Sequence, residues 1–244
     1  IETFGTAGAC IHPSPYREDH KVTIKVISET RLPIITYYRQ LDGFTGPQMV
    51  IDEMQCGEMA AEHLIELGHK KLAYIGVSQP VENVSNNTRY QGFVEGCAKH
   101  GVDPERYPVL HFHDPFKLQS LKQIFSSLDR PTALVAASEY HAVLGCEAIA
   151  SFGLKIPEDV ALVTLDGGTV SAAADIPLTA VDFPMIEIGI ASARTLLDIN
   201  SGKIDVTTPL IKKFPGKLVV RDSCGASKSF RHEYLANQLS KDIT

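Results

Sequence analysis

The chain has 244 residues, of which 44% are hydrophobic, and a formal net charge of −6 at pH 7. This is ordinary for a globular protein with a sizeable core, built as one large domain or two smaller ones. The negative charge and the lack of a Lys/Arg cluster make the segment a poor candidate for direct nucleic-acid binding, which depends on neutralising phosphates.

The sequence also lacks the signals of a membrane or secreted protein. No apolar run approaches the roughly 18 residues that a membrane span needs. The first residues, Ile1 to Gly5, lack the basic region and apolar core of a signal peptide. The five cysteines are scattered without C-x-x-C spacing, which indicates free thiols in a reducing compartment. We therefore expect a cytoplasmic protein.

Short β-like runs alternate with longer amphipathic runs along the chain. In the first part, strands are predicted at 7–12, 32–38 and 71–77, and a helix from about Met54 to Leu67. The stretch "DHKVTIKVISET" (19–30) is ambiguous. Its V-T-I-K-V-I alternation suits a strand, whereas its place between two strands suits a helix.

The alternation continues after a polar loop, "SQPVENVSNNT". Further strands are predicted at 107–112, 132–138, 159–166, 178–183 and 216–223, and further helices at 89–101, 116–128, 140–153 and 185–200. Such alternation predicts right-handed βαβ units, mainly parallel sheets and hence an α/β fold. In open parallel sheets, ligands bind outside the carboxyl ends of the strands, so polar residues there are the first candidates for a site.

Five phrases stand in order at plausible spacings: "VIDEMQCGEMAAEHLIELGHKKLAYIGV", "RYQGF", "GLKIPEDVALVTLDGG", "IPLTAVDFPMIEIGIASARTLL" and "LVVRDS". Over residues 7 to 224 the chain thereby resembles the effector-binding domain of the LacI/GalR family of bacterial transcription regulators. The resemblance implies a periplasmic binding protein-like fold of type I. In that fold two Rossmann-like subdomains with parallel sheets hold a small effector, such as a sugar or sugar derivative, in the cleft between them.

The resemblance also implies a division of the chain. The expected parts are an N-terminal subdomain (1–77 plus 182–200), a C-terminal subdomain (78–181 plus 201–224) and a tail (225–244). The family's first two strand-helix units have no counterpart here, so we expect the N-terminal subdomain to be incomplete in this sequence. The DNA-reading helix-turn-helix has no counterpart either, so DNA recognition is expected of a module outside this chain.

The function that this resemblance implies is sensing by a homodimer without a cofactor, in which the effector shifts the population of closure states. The main alternative is a periplasmic-type solute (sugar) binding protein for uptake or chemosensing, against which the unpaired cysteines argue. We do not expect an enzyme. Asp166 with His12 is the one acid/base pair that the sequence offers, and hydrolase and nucleotide motifs are absent.

Arg89 and Asp166 are the strongest candidate ligand contacts. Arg89 begins the phrase "RYQG" that matches the family's effector-binding arginine, and its planar fork suits hydroxyls or carboxylates. A surface ion pair is the alternative. Asp166 ends a strand before Gly167 and Gly168 and matches the family's effector-binding aspartate, and its alternative is a turn cap.

The remaining candidates depart from the family pattern. Ser138 and Glu139 stand where Asn-Asp is usual. Ser138 is expected to face the ligand and Glu139 to cap a helix beginning at Tyr140. Tyr38 stands where an Asp is common, and it either stacks on a sugar or simply packs. His12 ends the first strand, as a ligand contact or a plain loop histidine.

Phe116 resembles the aromatic that covers the pocket in relatives, although a core role is the alternative. His111, His113 and Asp114 raise the question of a metal, because histidines two apart on a strand share a face. No third ligand is evident, so we expect no metal.

Overall fold

The computed structural model describes residues 7–76, 84–107, 109–110, 123–227, 229–231 and 234. In chain order its elements are β1 (Ala9–Ile11), α1 (Arg17–Ser28), β2 (Ile34–Tyr38), β3 (Gln48–Ile51), α2 (Glu53–Glu66), β4 (Leu72–Ile75), α3 (Val84–Lys99), β5 (Ala133–Ala136), α4 (Glu139–Ser151), β6 (Ala161–Gly167), α5 (Thr169–Ala173), β7 (Thr179–Asp182), α6 (Met185–Asn200), β8 (Ile211–Phe214) and β9 (Lys217–Val219). The predicted α/β class is confirmed. Among the described residues, no helix is both long and apolar enough to cross a bilayer.

The chain divides into two compact units. Over the described residues, the first unit comprises 7–53, 84–88 and 183–216, and the second comprises 54–76, 89–182 and the residues from 217 onward. These boundaries differ from those expected from the sequence. Residues 54–76 and Asp182 belong to the second unit instead of the first, whereas residues 84–88 and 201–216 belong to the first unit instead of the second. Two packing features account for the difference: β8 pairs with a strand of the first unit, and α2 packs against α3 in the second.

The first unit contains a four-stranded sheet in the order β1-β2-β3-β8, and all its pairs are parallel. Strand β8 was not predicted, because Lys212 and Lys213 break the apolar pattern of "IKKF". Both lysines are exposed on this edge strand, where charged side chains discourage pairing with other chains. Helix α6 packs on β2 and β3.

The ambiguous stretch at 19–30 is helical up to Ser28, where α1 ends. His20 is buried, and Ile24 and Ile27 follow it at helical spacing as half-buried residues. Val22 and Val26 are 64% and 61% exposed, so the alternation in the sequence does not divide a buried face from an exposed one.

The second unit contains a five-stranded sheet in the order β4-β5-β6-β7-β9, in which only β9 runs antiparallel to its neighbour. Helix α4 packs on β5 and β6. The largest fully buried side chains of this sheet and helix are Leu72, Ile75, Leu134, Ile149, Leu162 and Leu165.

A glycine ends α2 and opens the turn into β4. Gly68 has a φ of +94°, which L-residues with a Cβ rarely adopt, and its N–H donates to the Ile65 carbonyl. His69 Nδ1 then lies 3.0 Å from Thr132 Oγ1, just before β5. The turn therefore ties the start of β4 to the start of its partner strand.

Two glycines bring α2 and α3 into backbone contact. A Cβ on Gly57 would lie 2.1 Å from the Arg89 carbonyl oxygen, and one on Gly92 would lie 2.0 Å from the Met54 carbonyl oxygen. Neither distance leaves room for a methyl group. The two helices therefore touch at the level of Arg89, which fixes where its side chain begins.

Several other predicted boundaries were wrong. The backbone is helical from Val84, although a loop was predicted up to Thr88, and the short helix α5 was not predicted. Within the strand predicted at 107–112, Leu110 forms a parallel bridge with Ile75. In the tail, Phe230 lies 5.7 Å from His63 of α2, measured between ring centroids.

Candidate functional site

The first unit gathers aromatic rings at the carboxyl ends of β1 and β2. His12 follows β1 and Tyr38 ends β2, and their ring centroids are 4.8 Å apart, edge to face. Tyr37 lies 5.6 Å from His12, and Phe183 lies 5.8 Å from Tyr38. We call these four residues the aromatic cluster. It presents π-faces and edges at the end of the sheet where ligands of parallel sheets bind.

Tyr38 holds a strained backbone conformation within this cluster. Its φ is +76°, in the left-handed region, which costs a non-glycine residue about 1–3 kcal/mol. The Arg39 guanidinium carbon lies 5.0 Å from the Tyr38 ring centroid, and Arg39 Nη1 donates a 3.1 Å hydrogen bond to the Pro13 carbonyl. Strain of this kind gathers at ligand sites, and the Tyr38 side chain is only half-buried.

Burial, and secondarily the positive charge of Arg39, lower the pKa of His12 below its ordinary value. The imidazole is therefore neutral at pH 7. A neutral ring offers one donor and one acceptor, which suits hydroxyl groups.

In the second unit, Arg89 is buried, with 3% of its surface exposed. Its Nη1 donates a 2.6 Å hydrogen bond to the carbonyl of Ala137, the residue that follows β5. The surface ion pair considered from the sequence is therefore wrong. A buried guanidinium needs such partners, and this bond holds Arg89 at the carboxyl end of β5.

Asp166 lies at the end of β6 in a β-bulge. Leu165 pairs with Val181 and Gly167 pairs with Asp182, so Asp166 is an extra residue on its strand. Its φ is +82°. Bulges occur next to functional sites, where they redirect a side chain. The sequence placed Asp166 at a strand end, but neither the bulge nor the positive φ was predicted.

Gly167 makes room for a neighbouring carboxylate. A Cβ on Gly167 would lie 1.6 Å from Asp182 Oδ1 and 2.7 Å from the Ala180 Cβ. Side chains of β7 lie so close to residue 167 that only a glycine fits at this position.

Asp182 ends β7 and was missed as a candidate. Its Oδ1 is buried without a hydrogen-bond partner among the residues that the structure describes, and its Oδ2 lies 3.9 Å from Arg221 Nη2. Burial raises the pKa of Asp182, the charge of Arg221 opposes this rise, and Glu139 adds to it. The sequence does contain a pattern that could have identified Asp182. It is the last residue of the strand-like run "LTAVD", just as Asp166 is the last residue of "LVTLD".

Ser138 follows β5 beside the carbonyl that accepts from Arg89. Its Oγ lies 2.8 Å from Nδ1 of His141, a buried residue that sequence reasoning missed. The predicted capping role of Glu139 is wrong, because α4 already begins at Glu139 and Ser138 occupies the N-cap position. Glu139 Oε1 instead accepts a 2.7 Å hydrogen bond from the backbone N–H of Ser171 in α5.

The structure thus gathers His12 and Tyr38 in the first unit, and places Arg89, Ser138 and Asp166 at carboxyl strand ends in the second. Phe116 lies outside the described residues. The same holds for the possible metal ligands His111, His113 and Asp114. Within the part of the chain that the structure describes, no group of three His, Cys, Asp or Glu side chains is placed to hold a metal.

A family model described as "Periplasmic binding protein-like domain" matches residues 61–224, more than half of the chain. Among curated proteins, the arabinose metabolism transcriptional repressor of Geobacillus stearothermophilus is 27% identical over 184 residues, covering 72% of this chain and 49% of the repressor. The chain spans about half the length of the curated relatives it matches.

Solved structures share the fold. A transcriptional regulator CelR–cellobiose complex has a TM-score of 0.75 at 24% identity, covering 89% of this chain and 66% of that one. A LacI family transcriptional regulator from Mycobacterium smegmatis has a TM-score of 0.73 at 24% identity, covering 89% and 78%.

Proposed function

Because the chain belongs to the periplasmic binding protein-like family, in the form of a LacI-type effector-binding domain, we propose that it senses a small carbohydrate. The aromatic cluster would stack on the apolar face of the sugar. Arg89, Ser138 and Asp166 would bind its hydroxyl groups. The observation that carries the proposal is a shared one: each unit ends a central strand in a strained, positive-φ residue, Tyr38 in one and Asp166 in the other.

We propose that binding controls a DNA-binding module outside this chain, with helix-turn-helix architecture. If the domain exchanges between two conformations, a ligand that binds one of them more tightly increases the population of that conformation. The ratio of the two affinities sets how far the equilibrium can shift. The curated relative is named as a repressor of arabinose metabolism, which favours this function over solute uptake and over catalysis. A regulator of this kind would work in the cytoplasm.

A thermal-shift screen tests the proposal. The panel comprises L-arabinose, cellobiose, sugar phosphates, nucleosides and purines. A true effector at 100 times its Kd should stabilise the chain by about 2.7 kcal/mol, which raises the Tm by roughly 5–10 °C. Asp166→Ala should remove this shift, whereas Asp103→Ala, at an exposed aspartate of the same unit, should retain it. An equal shift in the Asp166 variant would contradict the site.

We further propose that the chain forms a homodimer through the second unit. A groove of about 940 Å³ there is lined by residues of α4, of α5 and of the segments 154–158 and 174–178, most of them apolar. Val143 and Val170 beside it are 38% and 50% exposed. Apolar grooves of this extent mark interaction surfaces on soluble proteins, and a second copy of the chain would cover this one.

Sedimentation velocity tests the dimer. Val170→Asp should shift the chain to monomer, because it places a carboxylate inside the groove. Leu128 is fully exposed in the same unit, outside the groove. Leu128→Asp should therefore leave the dimer intact. A monomeric wild-type chain, or a dimer that survives Val170→Asp, would show that this surface is not the interface.

A further inference from the structure

The segment after Asp166 is held by a carboxylate from another helix. Glu139 Oε1, in the first turn of α4, accepts the 2.7 Å hydrogen bond from the Ser171 N–H, and Ser171 is fully buried. A carboxylate that accepts from a backbone amide makes a charge-assisted bond, stronger than a neutral one. The donor end of this bond is buried with Ser171, whereas the Glu139 side of the bond is half-buried.

The same carboxylate lies against the backbone nearer to Asp166. A Cβ on Gly168 would lie 3.2 Å from Glu139 Oε2 and 3.3 Å from Oε1. One residue earlier, Gly167 lies against Asp182 of β7. Residues 167–171, which we call the clamp segment, are therefore contacted by Glu139 from α4 and by Asp182 from β7.

Asp166 needs such support. It is the extra residue of a bulge, with a φ of +82° that a non-glycine residue keeps only when its surroundings enforce it. The clamp segment follows Asp166 directly, so its position sets the direction of the Asp166 side chain. Releasing the segment would let the backbone relax towards an ordinary strand conformation.

We propose that Glu139 is a positioning residue. It holds the clamp segment through Ser171 and Gly168, and thereby keeps Asp166 in the conformation that meets the effector. This inference rests on the proposed function of Asp166. It assigns to Glu139 a control of effector affinity that operates through the clamp segment.

Hydrogen–deuterium exchange on the ligand-free chain tests the clamp directly. In Glu139→Ala, the Ser171 amide should exchange at least about tenfold faster than in the wild type, because its acceptor is gone. Glu139→Gln keeps an acceptor oxygen at the same reach and should restore most of the protection. Glu105→Ala, at an exposed glutamate of the same unit, should leave this exchange unchanged.

Calorimetric titration with L-arabinose and with cellobiose tests the consequence. Glu139→Ala should weaken binding at least about tenfold while the global unfolding transition is retained, and Glu139→Gln should rescue it. If Glu139 only stabilised the fold, Glu139→Ala and Glu139→Gln variants of equal stability would bind the sugar with equal affinity. Unchanged Ser171 exchange in Glu139→Ala would overturn the inference. Faster exchange with unchanged affinity would overturn it too.

Asp166→Ala separates this inference from the proposed function. If Asp166→Ala abolishes binding while Glu139→Ala does not weaken it, the proposed site stands and the positioning role of Glu139 is wrong. If Asp166→Ala leaves binding intact, or if the wild type binds neither sugar, the effect of Glu139 on affinity fails together with the carbohydrate site. The exchange of Ser171 would then still decide whether the clamp itself exists.

Discussion

Arg89→Ala is expected to abolish measurable effector binding. The variant removes a buried guanidinium at the carboxyl end of β5. Losing the hydrogen bonds that this guanidinium is proposed to make to the effector should cost about 2–5 kcal/mol, or at least roughly 30-fold in affinity. Sequence reasoning alone predicts an intact fold for this variant. The structure adds a second effect, because the Ala137 carbonyl loses its donor, and the free energy of unfolding should fall by about 1–3 kcal/mol.

Two further variants separate these effects. Arg89→Lys keeps the positive charge but loses the planar fork, so it should also weaken binding, by at least about tenfold. Arg106, in the same unit, makes an exposed ion pair with Asp129 at 2.7 Å. Because exposed ion pairs contribute little to stability, Arg106→Ala should leave both the free energy of unfolding and the affinity for the effector nearly unchanged. Titration calorimetry that finds wild-type affinity in Arg89→Ala would remove Arg89 from the site.

Gly92→Ala is expected to destabilise the second unit strongly. A glycine-to-alanine change within a helix normally stabilises it by up to about 1 kcal/mol. Here the new methyl would lie 2.0 Å from the Met54 carbonyl oxygen and 2.9 Å from its carbon, so α2 and α3 must separate. We expect a loss of about 3 kcal/mol or more in the free energy of unfolding, measured by urea denaturation.

Gly189 is the matched control, because it lies exposed in α6. Among the residues that the structure describes, none has an atom within 4 Å of the position that a Cβ on Gly189 would take. Gly189→Ala should therefore raise stability by about 0.5–1 kcal/mol. If Gly92→Ala raised stability as Gly189→Ala is expected to do, the α2–α3 contact would be looser than the distances indicate.

The parallel α/β architecture was predictable because it rests on local patterns. Apolar runs such as "KLAYIGV" and "DVALVTLD" are bounded by glycines and polar loops, and they alternate with amphipathic helices. Edge strand β8 was not predicted for two reasons. Its two lysines interrupt the run of apolar residues that marks a buried strand, and its partner β3 is distant in the sequence. Residues 201–216 consequently belong to the first unit rather than the second.

The site was only partly predictable for a related reason. A strand pattern places Asp166 and Tyr38 at strand ends, but positive φ angles depend on tertiary contacts that no local pattern encodes. The bond from Ser171 to Glu139 joins residues 32 apart in sequence. The buried Oδ1 atom of Asp182 likewise depends on a tertiary contact, the close approach of Gly167.

The backbone angles of Tyr38 and Asp166 bear on attempts to make this protein more heat-resistant. Glycine or asparagine would relieve the unfavourable torsion at either position, so a screen that rewards only a higher melting point should recover such replacements early. Each would delete a ring or a charge from the proposed effector site. If that site is correct, thermostable variants found in this way should have lost their affinity for the effector, and selection for both properties should leave these two codons unchanged.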